Sequence, residues 1–137
     1  MKDIEKAKEL LTEDLSLVLV KDESIIISND SGIKPFITYI KENIDLKGYS
    51  LADKVVGKAQ AMLCVYVGVK EVFAKVLSES GKRILEKYQI PYSYDVLTKE
   101  IINRKGNDIC PMEKAVKNIE GIDEAVKSLI DAYKKLD

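Results

Sequence analysis

Residues 50–68 read SLADKVVGKAQAMLCVYVG, and how this run is parsed decides the fold. Ser50 and Asp53 stand three apart, the spacing at which a Ser side chain and an acidic residue satisfy the first N–H groups of a helix. Val55, Val56, Ala59, Ala61, Met62, Leu63, Cys64, Val65 and Val67 follow, and Gly68 fits a stop. The pattern predicts one helix, apolar on nearly every side and therefore buried. Gly57, Lys58 and Gln60 interrupt it. Desolvating an ammonium is costly unless it finds a partner or water, so Lys58 either reaches solvent or faces a polar pocket.

Working outward from this run, Asp3–Glu13 predicts an opening helix with Ile4, Ala7, Leu10 and Leu11 on one face. Leu15–Lys21 and Ser24–Asn29 are β-rich runs parted by Asp22-Glu23, a hairpin signal without a glycine at the turn. A loop at 29–32 leads to a second helix, Ile33–Ile44, with Pro35 in its first turn. Beyond the central run, Val69–Leu77 predicts an inner strand and Ser78–Gly81 a turn into a helix at Lys82–Gln89. Tyr92–Leu97 predicts a strand, Ile101 and Ile102 an added edge strand, and 103–108 a loop. Pro111 suits the first position of a helix running to about Asn118. The last helix, Ile122–Leu136, has acidic residues near its start and lysines near its end, as the helix dipole prefers. A hairpin followed by alternating helices and strands argues for a single three-layer α/β/α domain over 1–137, with a mixed sheet of four to five strands.

With 22 basic and 23 acidic residues the net charge is -1. Nothing in that balance draws the chain to nucleic acid or anionic lipid, and neither is expected as a partner. No apolar run reaches the ~20 residues of a membrane span. The charged start, MKDIEKAKELL, lacks the apolar core of a signal peptide. Two cysteines in that setting point to free thiols and a cytoplasmic location. The chain has no histidine. That removes Ser-His-Asp and Cys-His catalysis and every His-ligated metal site. Cys64 and Cys110 stand far apart with no C-x-x-C, so no metal site is expected. G-x-G-x-x-G and Walker A patterns are absent, and no cofactor is called for.

The element order helix–strand–strand–helix–strand–helix–strand resembles the cytidine-deaminase fold. Deaminases carry H-A-E on the central helix and E-P-C-x-x-C at the next strand-to-helix turn, which hold zinc and the catalytic Glu. This chain has Lys58-Ala59-Gln60 at the first position and Glu79-Ser80-Gly81-Lys82-Arg83-Ile84 at the second. The resemblance therefore implies that Lys58, Gly81 and Ile84 replace the zinc ligands and that Gln60, which cannot shuttle a proton, replaces the Glu. More narrowly, the chain resembles a bacterial and archaeal domain-of-unknown-function family of that fold, with G-K-A-x-A on the central helix and I-N-R-x-G…C-P-M-E near the C-terminus. Here those are Gly57–Ala61 and Ile102-Asn103-Arg104-Lys105-Gly106…Cys110-Pro111-Met112-Glu113. The resemblance implies a fold and a site location but no reaction.

Chemistry alone adds to this. With Pro111 first in its helix, Cys110 is the N-cap and Glu113 the third helical residue; the helix end favours a thiolate while Glu113 opposes it. Cys110 is either a nucleophile or a small buried hydrophobe, and Glu113 either a catalytic candidate of unspecified role or a cap for unpaired N–H groups. Asn103 and Arg104 lie in a loop where Arg grips an anion or is simply solvated. Lys58 either pairs with Glu79 or Glu113 or faces a ligand. Cys64 reads as core, and Tyr88, Tyr92 and Tyr94 as packing. The expected function is a small-molecule binding domain for a nucleotide-like or anionic metabolite. Lys58, Gln60, Glu79, Asn103 and Arg104 are its candidate ligand-binding residues. The alternatives are a metal-independent enzyme using Cys110 or Lys58, with Glu113 a further catalytic candidate, and an interaction module that forms homo-oligomers through its amphipathic terminal helices.

Overall fold

The computed structural model describes residues 1–103 and 105–136. In chain order its elements are α1 (Asp3–Leu10), β1 (Leu17–Lys21), β2 (Ser24–Ser28), α2 (Lys34–Lys41), β3 (Ser50–Val56), α3 (Lys58–Val67), β4 (Glu71–Ser78) and α4 (Glu79–Lys87). β5 (Tyr92–Thr98), α5 (Pro111–Val116) and α6 (Ile122–Leu136) complete it. The chain is of the α/β class with one open, mixed five-stranded sheet in the order β2-β1-β3-β4-β5. β1 runs antiparallel to both β2 and β3, while β3, β4 and β5 are parallel.

The run at 50–68 is not one helix. Ser50–Val56 is the central strand β3, Gly57 is the N-cap, and only Lys58–Val67 is helical. Ser50 and Asp53 thus cap nothing. A strand covered on both faces shows no alternation and looks like a buried helix segment; Ser50, Leu51, Ala52 and Asp53 are all buried. The helix that remains is buried along Ala59–Cys64, as an all-round apolar helix should be. It ends where Gly68 takes the left-handed conformation at φ 81°, its N–H donating to the Cys64 carbonyl.

Elsewhere the expected elements stand with adjusted ends. The hairpin turns without glycine because Asp22 accepts a positive φ of 54°, which Asp tolerates. The Asp3 carboxylate then takes the Asp22 N–H at 3.2 Å. Ile101 and Ile102 do not form an edge strand; Ile102 makes a single antiparallel bridge to Ile109. α4 begins at Glu79 directly after β4, so 78–81 is a helix start and not a separate turn.

Two apolar clusters lie on opposite faces of the sheet. Ile4, Ala7 and Leu11 pack on Val18, Val20, Ala52 and Phe73. On the other face Leu17, Leu19, Leu51, Val72 and Leu77 meet the side chains of α2 to α6. β3 ends by delivering the chain into α3, and β4 does the same into α4. The N-termini of two helices therefore open at the carboxyl edge of the parallel strands.

Candidate functional site

Lys58 opens α3, and the N–H groups of a helix's first turn have no partner within the helix. Here the partner is Glu113, the third residue of α5. Its Oε1 accepts the Lys58 N–H and its Oε2 the Ala59 N–H, both at 2.8 Å. Glu113 caps free N–H groups, as its position suggested, but those of another helix. The approach needs a glycine: a Cβ on Gly57 would stand 2.2 Å from Glu113 Oε1 and 2.8 Å from Ile101. A Cβ on Gly81 would sit 3.0 Å from the Gly57 carbonyl. Two glycines thus let the starts of α3, α4 and α5 converge. Burial pushes the Glu113 carboxyl above the usual range, against the two N–H groups and Lys58, which pull it down. At the start of α4, the Ser78 side chain accepts the Gly81 N–H at 3.0 Å.

The Lys58 side chain does not pair with Glu79 or Glu113. Its Nζ donates to the Lys117 carbonyl at 3.2 Å and stands 4.0 Å from Glu120 Oε2. The Lys58 side chain is 12% exposed against 71% for that of its acidic neighbour, so the carbonyl bond is the stronger tie.

An open cleft of about 1000 Å³ lies over this junction. Of the residues singled out from sequence, Lys58, Glu79 and Glu113 line it. Gln60, Asn103 and Cys110 do not. Asn103 stitches its own loop, donating to Asn107 Oδ1 at 3.0 Å and accepting the Asn107 N–H at 3.2 Å. Cys110 is half-buried at the start of α5, its N–H bonded to the Ile101 carbonyl. Arg104 lies outside the described residues. Tyr92 and Tyr94 stack at 6.3 Å on β5, away from the cleft.

Sequence reasoning missed most of the cleft's charge. Six basic and five acidic side chains line it. Among the acids, Asp108 is held by Lys114, which keeps its carboxyl below the usual range. Glu113 is spent on α3. Arg83, Lys87, Lys99 and Lys117 make no ion pair among the described residues, against two such acids, Glu79 and Glu100. Arg83 and Lys87 sit one turn apart on α4. That spacing, facing a strand's carboxyl edge, was the available signal.

Beneath α3 lies a second polar group. Gln60 turns into the core and donates Nε2–H to Asp53 Oδ2 at 2.7 Å. Asp53, 5% exposed, also takes the Val55 N–H at 3.3 Å. Burial raises its carboxyl to about 7. Burial and the Asp53 charge push the Cys64 thiol well up. Gln60 Oε1 has no hydrogen-bond partner among the described residues. Among the described residues no three His, Cys, Asp or Glu side chains gather as metal ligands. Nor is any described helix long and apolar enough to cross a membrane.

The family described as "Domain of unknown function (DUF1893)", TM1506, matches residues 5–133. Among solved structures, a DUF1893 family protein from Thermotoga maritima is similar with a TM-score of 0.80 and 31% identity. The match covers 87% of this chain and 81% of that one. No curated protein matches the chain.

Proposed function

Because the chain belongs to the DUF1893 family, we propose a function from the site itself: a small-molecule binding domain whose cleft takes an anionic, nucleotide-like metabolite. The scaffold in this reading is cytidine-deaminase-like with the zinc position unused, since Lys58, Gly81 and Ile84 supply no ligand atoms.

The observation that carries the reading is a set of four cations around the cleft, Arg83, Lys87, Lys99 and Lys117, that make no ion pair among the described residues. Ligands of parallel α/β sheets bind outside the carboxyl ends of the strands, which is where this cleft lies. A volume of about 1000 Å³ accommodates a nucleotide-sized molecule. Cations without an acidic partner in a concave surface raise the local concentration of anions, although Lys87 also stands over the Tyr88 ring at 5.5 Å, and Arg83 offers a planar fork for a phosphate or carboxylate. A covalent enzyme is the weaker reading. Cys110 does not line the cleft, and the Lys58 ammonium is already bonded to a carbonyl.

Thermal-shift measurements with nucleoside triphosphates, diphosphates, monophosphates and uncharged nucleosides test this. Charged members are expected to raise the melting temperature, with the effect growing with charge and vanishing in Arg83→Glu and Lys117→Glu. Equal stabilisation by the uncharged nucleosides, or an effect that survives both charge reversals, overturns it.

A further inference from the structure

Asp53 and Gln60 meet in the core behind the cleft, and their hydrogen bonding is incomplete as a carboxylate–amide pair. The amide donates one N–H to Asp53 Oδ2, yet its own oxygen is a buried acceptor with no donor. Among the described residues the carboxyl has no cation to balance a charge. β1 presents Leu17 opposite Asp53, β4 presents Ala74, and α3 presents Gln60 and the Cys64 thiol. The Lys54 ammonium points away, to the Glu13 carbonyl. An isolated buried carboxylate is expensive, and such groups neutralise instead. An unpaired buried acceptor is expensive too. A proton on Asp53 removes the charge and gives the carboxyl an O–H of the kind the amide oxygen lacks.

We propose that the folded protein holds Asp53 as the neutral acid, with its proton shared with Gln60 Oε1, so that β3 and α3 are fastened together by a proton. The proton comes from solvent: at a pH above the ordinary carboxylate range and below neutrality the unfolded chain carries an Asp53 carboxylate, and folding takes up a proton to form the acid. The raised carboxyl accords with this. Gln60 is two residues from Lys58 on α3, so the fastener sits directly behind the start of the helix that Glu113 caps. Ionising Asp53 puts an unbalanced charge beside the Cys64 thiol and loosens this junction. The fold then carries a built-in sensitivity to rising pH. The inference stands whether or not the cleft binds an anion.

The decisive measurement is a titration of the Asp53 side-chain carboxyl carbon by NMR in aspartate-labelled, full-length protein from pH 4 to 9. The expected trace stays at the acid position through pH 5.5 and moves near or above neutrality. An Asp53 signal at the carboxylate position at pH 5.5 overturns the proposal. Assignment through backbone-linked spectra keeps the experiment independent of any variant. Asp53→Asn supplies a second reading: an amide keeps a donor for Gln60 Oε1 and cannot ionise. The wild-type urea midpoint is expected to fall as pH rises from 5 to 8. That of the variant should fall less, the remaining slope coming from Glu113. Equal slopes in the two proteins contradict the proposal.

Discussion

Replacing Gly57 by alanine tests the junction on which the cleft is built. The new Cβ would stand 2.2 Å from Glu113 Oε1 and 2.6 Å from its Cδ, so the carboxylate must leave. Its departure strips the Lys58 and Ala59 N–H groups of their acceptors. Hydrogen bonds to a charged group contribute about 1.5–3 kcal/mol each, and water entering through the cleft compensates part of the loss. A net cost of about 3 kcal/mol is therefore expected for Gly57→Ala. Glu113→Ala removes the same two bonds and should cost about 2–3 kcal/mol. The effects should not add. Once Glu113 is gone, the Cβ meets mainly the Ile101 side chain at 2.8 Å, which is able to turn aside. In the double variant the glycine change should cost under about 1 kcal/mol, giving a coupling near 2 kcal/mol. Urea unfolding of the four proteins at one pH measures this cycle. Additivity within about 0.5 kcal/mol would refute the claim that Gly57 is there to admit Glu113.

Two further outcomes follow from the same geometry. Lys58→Met keeps the apolar stem but removes the bond to the Lys117 carbonyl, and should cost about 1–3 kcal/mol in denaturant unfolding; no loss would show that the ammonium is not tied down as described. Iodoacetamide should modify native protein at the half-buried Cys110 before Cys64, whose thiol is fully buried and pushed well up, with the second adduct forming only under denaturant; peptide mapping that finds Cys64 modified first in native protein would contradict the packing.

Much of the fold was legible because its surface elements carry period and polarity. α6 reads from its one-sided apolar pattern and its charged ends, and the hairpin from two β-branched runs parted by acidic residues. The centre of the sheet was less legible. β3 is buried on both faces over Ser50–Asp53, so its alternation is lost there, and Val55 and Val56 then lead straight into the apolar residues of α3. Asp53 then imitated a cap when it was in fact a buried acid inside a strand. The candidate site was half visible for a related reason. Lys58 stood out because a charge within an apolar helix needs a destination, and Glu113 because it follows a proline helix start. Gln60 looked equally exceptional, yet its destination is the core partner Asp53. Arg83, Lys87, Lys99 and Lys117 look individually like any solvated surface cation; only the convergence of α4, α5 and the end of β5 places them around one hollow.

The central claim is that this hollow is where an anionic ligand binds, and the most direct test is a backbone amide NMR titration of the full chain with a nucleoside triphosphate. The account predicts saturable shifts concentrated at Lys58, residues 79–87, residues 99–101 and residues 113–120, weakening as salt is raised. Saturable shifts confined elsewhere, for example around Tyr66 and Lys127 on the far side of α3 and α6, would contradict it, as would saturable binding that leaves the cleft residues unmoved.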